Sequence, residues 1–199
     1  MDKIVLSEDE QDVLQELINV AYGNATAVVA EMLDAFATLS IPKINIMQTK
    51  QLLEEFCHKK NSSYFFSTQA FIGDFSGETA FFINEESALN LAKHLELESE
   101  EDIDDAILEL TNILTSSLTT RLAEEMDTQV SFSLPSISKV PLSEIDKVKT
   151  FQQYSQVIVI ETELNFKDQK INGEIFILTK DGSIQWLKQQ LNKILEALI

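Results

Sequence analysis

The chain is poor in several things at once. Its 199 residues include one cysteine, two histidines, three prolines and five glycines. Basic residues are scarce too: 15 Lys and Arg stand against 33 Asp and Glu, giving a formal net charge of −18. Each shortage excludes a class of protein. Cys57 alone cannot form an internal disulfide, which fits a reducing compartment. His58 and His94 are far apart and near no cysteine pair, so no zinc site is legible. The glycines Gly23, Gly73, Gly77, Gly173 and Gly182 are not arranged as a phosphate-cradling loop. No Gly-x-Ser-x-Gly elbow is present. The negative balance argues against nucleic acid, whose phosphates need clustered Lys and Arg. No apolar run approaches the roughly 20 residues that span a bilayer. The N-terminal Met-Asp-Lys-Ile-Val-Leu-Ser lacks a signal-peptide core. The expectation is a cytoplasmic protein with no membrane insertion, whose partners tolerate a negative surface.

What is present is enough apolar residue, 44%, for a proper core, in a length that suits one domain or two small similar halves. Ser7 and Glu10 read as a capping box. Behind them Leu14, Leu17, Ile18, Ala21, Ala25, Val28, Val29, Met32 and Phe36 recur at helical spacing. A strand-like segment over 40–46 contains Pro42. A short helix or loop over 51–60 follows, then a hairpin pattern over 64–72 and 78–83. An amphipathic helix over 85–95 closes the unit. The same order then repeats. Ser99 and Asp102 give a second cap, and a long helix is predicted over 103–126. A strand with Pro135 spans 130–140, a second hairpin covers 157–166 and 171–179, and a final helix covers 183–198. Trp186 and the phenylalanines are assigned to the core.

Moving the second half back by 93 positions superposes Asp12 on Asp105, Glu16 on Glu109, Asn19 on Asn112, Asp34 on Asp127, Ser40 on Ser133 and Pro42 on Pro135. An offset of 96 aligns Gly77-Glu78 with Gly173-Glu174, a loop difference of three residues. The predicted architecture is a pseudo-twofold α/β (α+β) protein. One domain over 1–199 is made of two αβββα-type repeats, approximately 7–96 and 99–199. The repeats share a mostly antiparallel sheet and carry two long helices. The acidic run from Glu96 to Asp105 reads as helix N-terminal charge, since calcium loops need another spacing.

Within each long helix one polar stripe stands out. Asp12, Glu16 and Asn19 fall on one face, continued by Gly23, Thr26 and Ala30. The second helix gives Asp105, Glu109 and Asn112, then Ser116, Thr119 and Ala123. A solvated face explains one such stripe. It does not explain the same residues at the same offsets in two otherwise divergent copies, nor a mediocre helix former, asparagine, mid-helix in both. A carboxamide both donates and accepts hydrogen bonds, so it can hold a water in line for attack on a phosphoryl group, where catalysis is mostly positioning. A carboxylate one turn away can pair with a partner's lysine or arginine. With no metal ligands and no nucleophile, the stripe makes sense if the substrate is a protein that brings its own metal and phosphoryl group.

The spacing Asp or Ser, three residues, Glu, two residues, Asn, twenty-two residues, Pro resembles the signature of the CheC/CheX/FliY phosphatases of bacterial chemotaxis. It reads Asp12, Glu16, Asn19, Pro42 and again Asp105, Glu109, Asn112, Pro135. Gly23-Asn24-Ala25 is similar to that family's Gly-Asn-Ala. Phe75-Ser76-Gly77, followed by an apolar strand and Glu86 to Leu89, is similar to the second half of a CheC repeat. The resemblance implies a CheC-like fold and hydrolysis of the aspartyl phosphate on the response regulator CheY. It implies that Asn19 and Asn112 position the attacking water. Glu16 and Glu109 would contact the regulator beside its own Mg²⁺, this chain needing no cofactor of its own. Asp12 and Asp105 would support the motif, and Pro42 and Pro135 would shape the strand after the helix. Two intact motifs without room for a flagellar-switch domain look most like CheC, whose members commonly partner the deamidase CheD. The family often has glycine two residues after the asparagine, where the first copy has Ala21; the second copy is looser still, with Leu114 there and Ser116-Ser117 in place of Gly-Asn. The alternative reading is a non-catalytic adaptor that binds CheD or a flagellar-switch or chemotaxis component.

Overall fold

The structure, a computed structural model, describes residues 4–40, 43–58, 63–97, 99–141, 156–166, 168–179 and 181–197. Pro42 lies outside the described residues. In chain order the elements are α1 (Glu8–Met32), β1 (Thr38–Leu39), β2 (Lys43–Gln48), α2 (Thr49–His58), β3 (Ser63–Gly73), β4 (Gly77–Asn84) and α3 (Glu85–His94). The second half follows with α4 (Glu100–Glu125), β5 (Val130–Phe132), β6 (Ser136–Pro141), β7 (Gln156–Phe166), β8 (Ile171–Thr179) and α5 (Asp181–Ala197).

Both long helices begin and end by the same local chemistry. At α1 the Glu10 backbone N–H donates to Ser7 Oγ at 3.2 Å, and the Ser7 N–H donates to Glu10 Oε2 at 2.7 Å. At α4 Ser99 and Asp102 make the same reciprocal pair. Each box satisfies two N–H groups that the first turn would otherwise leave open, and an N-cap of this kind contributes about 1 kcal/mol. At the other ends Asp34 and Asp127 take left-handed backbone, with φ of 44° and 53°. The Ala35 N–H then donates to the Ala30 carbonyl and the Thr128 N–H to the Ala123 carbonyl, the six-to-one bond of a Schellman stop. Aspartate tolerates that conformation better than most residues. The repetition of Asp34 at Asp127 is thus accounted for by helix termination.

Among the described residues eight strands form one sheet in the order β1-β7-β8-β4-β3-β5, with β2 also on β7 and β6 also on β3. Every described pairing is antiparallel. At the centre β4 lies against β8, with Ala80 opposite Phe176. Phe71 faces Gly77 across the first hairpin and Leu164 faces Gly173 across the second. The three-residue difference between the offsets of 93 and 96 therefore falls in the hairpin connection.

The strand expected over 40–46 and its counterpart over 130–140 are each divided, so each half contributes four strands, not three. The cause is visible in the register. Phe71 pairs with Phe132 and Thr68 with Ser136, so Gln69 and Ala70 face the three residues Ser133, Leu134 and Pro135. That is a bulge with one extra residue, a place where proline's missing N–H costs no ladder bond. Ser133 bridges the gap: its N–H donates to the Ala70 carbonyl, and the Ala70 N–H donates to Ser133 Oγ at 3.1 Å. Ser40 does the same with Glu163 in the first half, its Oγ accepting from the Glu163 N–H at 2.9 Å.

Alternation across the central strands builds two cores. Phe81, Ile83, Ile175 and Ile177 join Leu14, Ile18, Leu110, Leu114 and Leu187 from the long helices and α5. Ala80, Phe82, Phe176 and Leu178 point the other way and meet Leu52 of α2. Burial on both faces explains why these strands read as unbroken apolar runs, each large side chain contributing about 1.5–3 kcal/mol. Trp186 packs against the first core and stacks on Phe75. Phe36 is a correction to the core assignment: it is 75% exposed, because it lies beyond the Asp34 stop and off the helical stripe.

Candidate functional site

The two polar stripes lie on α1 and α4, which pack directly on one another. On α1 the apolar stripe Leu14, Ile18, Ala21, Ala25 and Val29 is buried. Burying that face leaves Asp12, Glu16 and Asn19 exposed, with Gly23 exposed behind them. A Cβ on Gly23 would meet nothing within 4 Å, so its small size serves nothing inside the fold. Beyond it Thr26 and Ala30 are half-buried.

On α4 the acids Asp105 and Glu109 are exposed and Asn112 is half-buried. This helix is more deeply enclosed, packed against α1, α3 and β3. Thr111, Thr115 and Thr119 have no exposed surface. Thr111 Oγ1 donates to the Ile107 carbonyl at 2.7 Å and also meets Ser67 Oγ of β3. Thr119 Oγ1 donates to the Thr115 carbonyl at 2.6 Å. The second stripe therefore runs under neighbouring structure beyond Ser116, with Thr119 and Ala123 buried.

The asparagines differ in their partners. Asn19 Oδ1 accepts from Gln15 Nε2 at 3.2 Å, an exposed bond within one helix. Asn112 Oδ1 accepts from Gln69 Nε2 at 2.9 Å, a bond from the sheet to the helix. Gln69 is only 2% exposed, and its Nε2 also donates to the Ser133 carbonyl at 2.8 Å. Pro135 is half-buried in the same bulge, two residues on. The structure thus connects Asn112, through one glutamine, to the bulge that holds Pro135, with twenty-two residues between the two motif positions. Spacing within the motif gave no hint of Gln69. The signal available was a single amide, beside Ser67 and Thr68, inside the largely apolar and aromatic strand Tyr64 to Ile72.

Among the described residues, the grooves at the start of α4, at its end and beside β2 include neither asparagine. A groove of about 270 Å³ flanks the start of α4, lined by residues including Phe65, Leu89, Ile103 and Lys139, and it contains no stripe residue. Among the described residues no group of three or more His, Cys, Asp or Glu is placed to hold a metal ion. No described helix is long and apolar enough to cross a membrane. The arrangement offers two amides, one exposed and one half-buried, each one turn from an exposed carboxylate. Such a pair can position a water or dock on a surface brought to it.

Comparison with known proteins agrees with this architecture. Residues 65–159 match the family described as chemotaxis phosphatase CheX. That stretch contains Asp105, Glu109, Asn112 and Pro135, whereas Asp12, Glu16, Asn19 and Pro42 lie before it. No curated protein sequence matches the chain. Among solved structures, Thermotoga maritima FliY superposes with a TM-score of 0.76 at 15% identity, over 96% of this chain and 99% of that one. The middle domain of FliM from H. pylori superposes with a TM-score of 0.63 at 15% identity, over 93% and 99% of the two chains. A CheX–CheY–BeF3–Mg²⁺ complex from Borrelia burgdorferi matches with a TM-score of 0.53 at 11% identity, over 82% and 98%. The fold is therefore the mixed α/β architecture shared by CheX, FliY and the FliM middle domain.

Proposed function

We propose that this chain is a chemotaxis phosphatase of the CheC/CheX/FliY kind, hydrolysing the aspartyl phosphate of a CheY-type response regulator. The observation that carries this reading is the pair of asparagines, each one turn from an exposed glutamate. Asn112 and Glu109 fall inside the stretch that matches the CheX family. The fold likeness to a CheX bound to CheY, BeF3 and Mg²⁺ supports the same substrate, since trifluoroberyllate has the shape and charge of a phosphoryl group.

In this mechanism the chain docks α1 or α4 onto the regulator's phosphorylated face. Glu16 or Glu109 pairs with a regulator lysine and fixes the register. Asn19 or Asn112 holds a water in line with the phosphorus. The water oxygen bonds to phosphorus as the phosphorus–aspartyl oxygen bond breaks. The aspartate leaves as a carboxylate, and the water's protons stay on the released phosphate. Mg²⁺ belongs to the regulator and neutralises charge on the phosphoryl oxygens. Most of the rate gain comes from positioning. Asp12 and Asp105 support the motif from one turn before the glutamates. Pro42 and Pro135 shape the strand that follows each helix.

The reading extends to organisation. The chain is one CheC-like domain of two repeats, approximately 7–96 and 99–199, nearest in type to CheC because both motifs are intact. CheD is a further partner on that reading, and the cytoplasm is the place of action. A second reading is a non-catalytic adaptor gripping CheD or a switch component, favoured by the likeness to the FliM middle domain. The deciding experiment follows phosphate release from phosphorylated CheY with catalytic amounts of wild-type protein and of an Asn19→Ala/Asn112→Ala variant. Acceleration by the wild type alone supports the phosphatase. No acceleration with a cognate regulator overturns it in favour of the adaptor.

A further inference from the structure

We propose that Gln69 is a positioning residue of the second site, fixing which end of the Asn112 carboxamide faces outward. The proposal rests on the phosphatase reading and goes beyond it in assigning a role to a residue outside the motif. The argument is one of donors and acceptors. The Ser133 carbonyl can only accept. It is released from the strand ladder because the facing Ala70 N–H donates to Ser133 Oγ instead. Gln69 must therefore turn its NH₂ toward Ser133, which it does at 2.8 Å. The amide's second hydrogen then goes to Asn112, at 2.9 Å, and that partner must be the oxygen Oδ1. Asn112 Nδ2 is left directed away from Gln69, free to donate, with one Oδ1 lone pair still open. At 2% exposure Gln69 has no water to compete for these bonds.

The relay gives the motif's proline a physical reason. Pro135 ends the bulge that frees the Ser133 carbonyl, and that carbonyl orders Gln69, which orders Asn112. In the first half Ser40 makes the matching bonds to Glu163, but Thr162 stands at the register position of Gln69. Asn19 instead accepts from Gln15 on its own exposed helix face. The second asparagine is thus held before the regulator arrives, and the first is not.

The test uses an Asn19→Ala background, in which only the second site turns over, with phosphorylated CheY as substrate. Adding Gln69→Met, which keeps length but removes both donors, is expected to lower kcat about tenfold with KM changed less than about twofold. In an Asn112→Ala background the same substitution is expected to add no further loss. The Gln69 side-chain NH₂ protons of the wild type are expected to exchange with solvent more slowly than those of Gln15 by NMR. Unchanged kcat in the Asn19→Ala background overturns the proposal while leaving the phosphatase reading intact. Slowing of the Asn112→Ala protein, whose turnover comes from the first site, shows a general loss of structure and also overturns it. If neither wild type nor Asn19→Ala accelerates phosphate release, the phosphatase reading falls and takes the role of Gln69 with it. The exchange measurement then still reports whether the two bonds exist.

Discussion

Asn19 and Asn112 occupy the same place in the same four-residue pattern, yet the first is exposed and bonded within its own helix while the second is half-buried and bonded across to the sheet. The helices around them differ in the same sense. α1 leaves its stripe exposed to Gly23 and half-buried at Thr26 and Ala30, whereas α4 buries the matching Thr119 and Ala123 fully. An identical motif can therefore carry two degrees of preorganisation, set by residues the motif does not name. Where a water must be held in line, a pre-oriented amide sacrifices less freedom at the moment of reaction.

The comparison can be broken most directly at the asparagines. Removing both is expected to slow phosphate release from phosphorylated CheY at least about a hundredfold. Of the single variants, Asn112→Ala is expected to remove the larger share of the rate. A larger share lost with Asn19→Ala would reverse the ranking of the two sites.

Next in size are the paired hairpin glycines. A Cβ on Gly77 would collide with the Leu178 carbonyl and come within 2.7 Å of the Phe71 ring. One on Gly173 would strike only the edge of the Phe81 ring, with the Phe82 carbonyl at 3.4 Å. Rigid backbone yields less than a ring, so urea unfolding should show Gly77→Ala costing about 3 kcal/mol and Gly173→Ala about 1–2 kcal/mol.

Glu10 sharpens the contrast at the helix starts: its counterpart in the second capping box, Asp102, is exposed, and Ile103 stands at the offset of 93. Glu10 is buried, with Asn192 donating to Oε1 at 2.8 Å and Lys188 placed 3.3 Å from Oε2. Burial is the largest single influence and pushes its pKa up. The Ser7 N–H, Asn192 and Lys188 together more than reverse it, leaving the carboxyl below its ordinary value. A carboxyl titrating lower in the folded than the unfolded chain stabilises fully at neutral pH. That stability is lost as pH falls through the folded value. Glu10→Gln is expected to cost about 1–2 kcal/mol at pH 7 and to flatten the acid limb of the stability profile. An Ile103 substitution should leave that limb unchanged.

The smallest effect concerns Gly23, exposed in mid-helix with open space around it. Gly23→Ala is expected to raise stability by about 0.5–1 kcal/mol. A gain of that size in thermal unfolding would mean that the glycine is kept for the surface it leaves, not for the fold.

Much of this architecture is legible in the residues themselves. Ser7 with Glu10 and Ser99 with Asp102 announce both long helices because capping is local chemistry. The first hairpin is legible because Gly73 to Gly77 separates two apolar runs of strand length, and the second because polar residues before Ile171 do the same. The bulge is harder to read: a strand carrying a proline looks continuous until the register with β3 shows one residue too many. Gln69 is harder still. It lies 43 residues from Asn112 in the chain, and its bonds depend on tertiary placement that no periodicity encodes. The repeated Asp34 and Asp127 show the converse hazard, since their recurrence reflects a shared way of ending a helix.

The central claim is that the amides act on the water and not on docking. It is tested most directly by comparing affinity and turnover in one pair of proteins. Binding of BeF3-loaded, Mg²⁺-bound CheY would be measured by calorimetry for the wild type and for Asn19→Ala/Asn112→Ala, beside phosphate release from phosphorylated CheY. The account predicts affinities within a few-fold of each other and release abolished only in the variant. Affinity lost in proportion to release would contradict it and make the stripes docking faces.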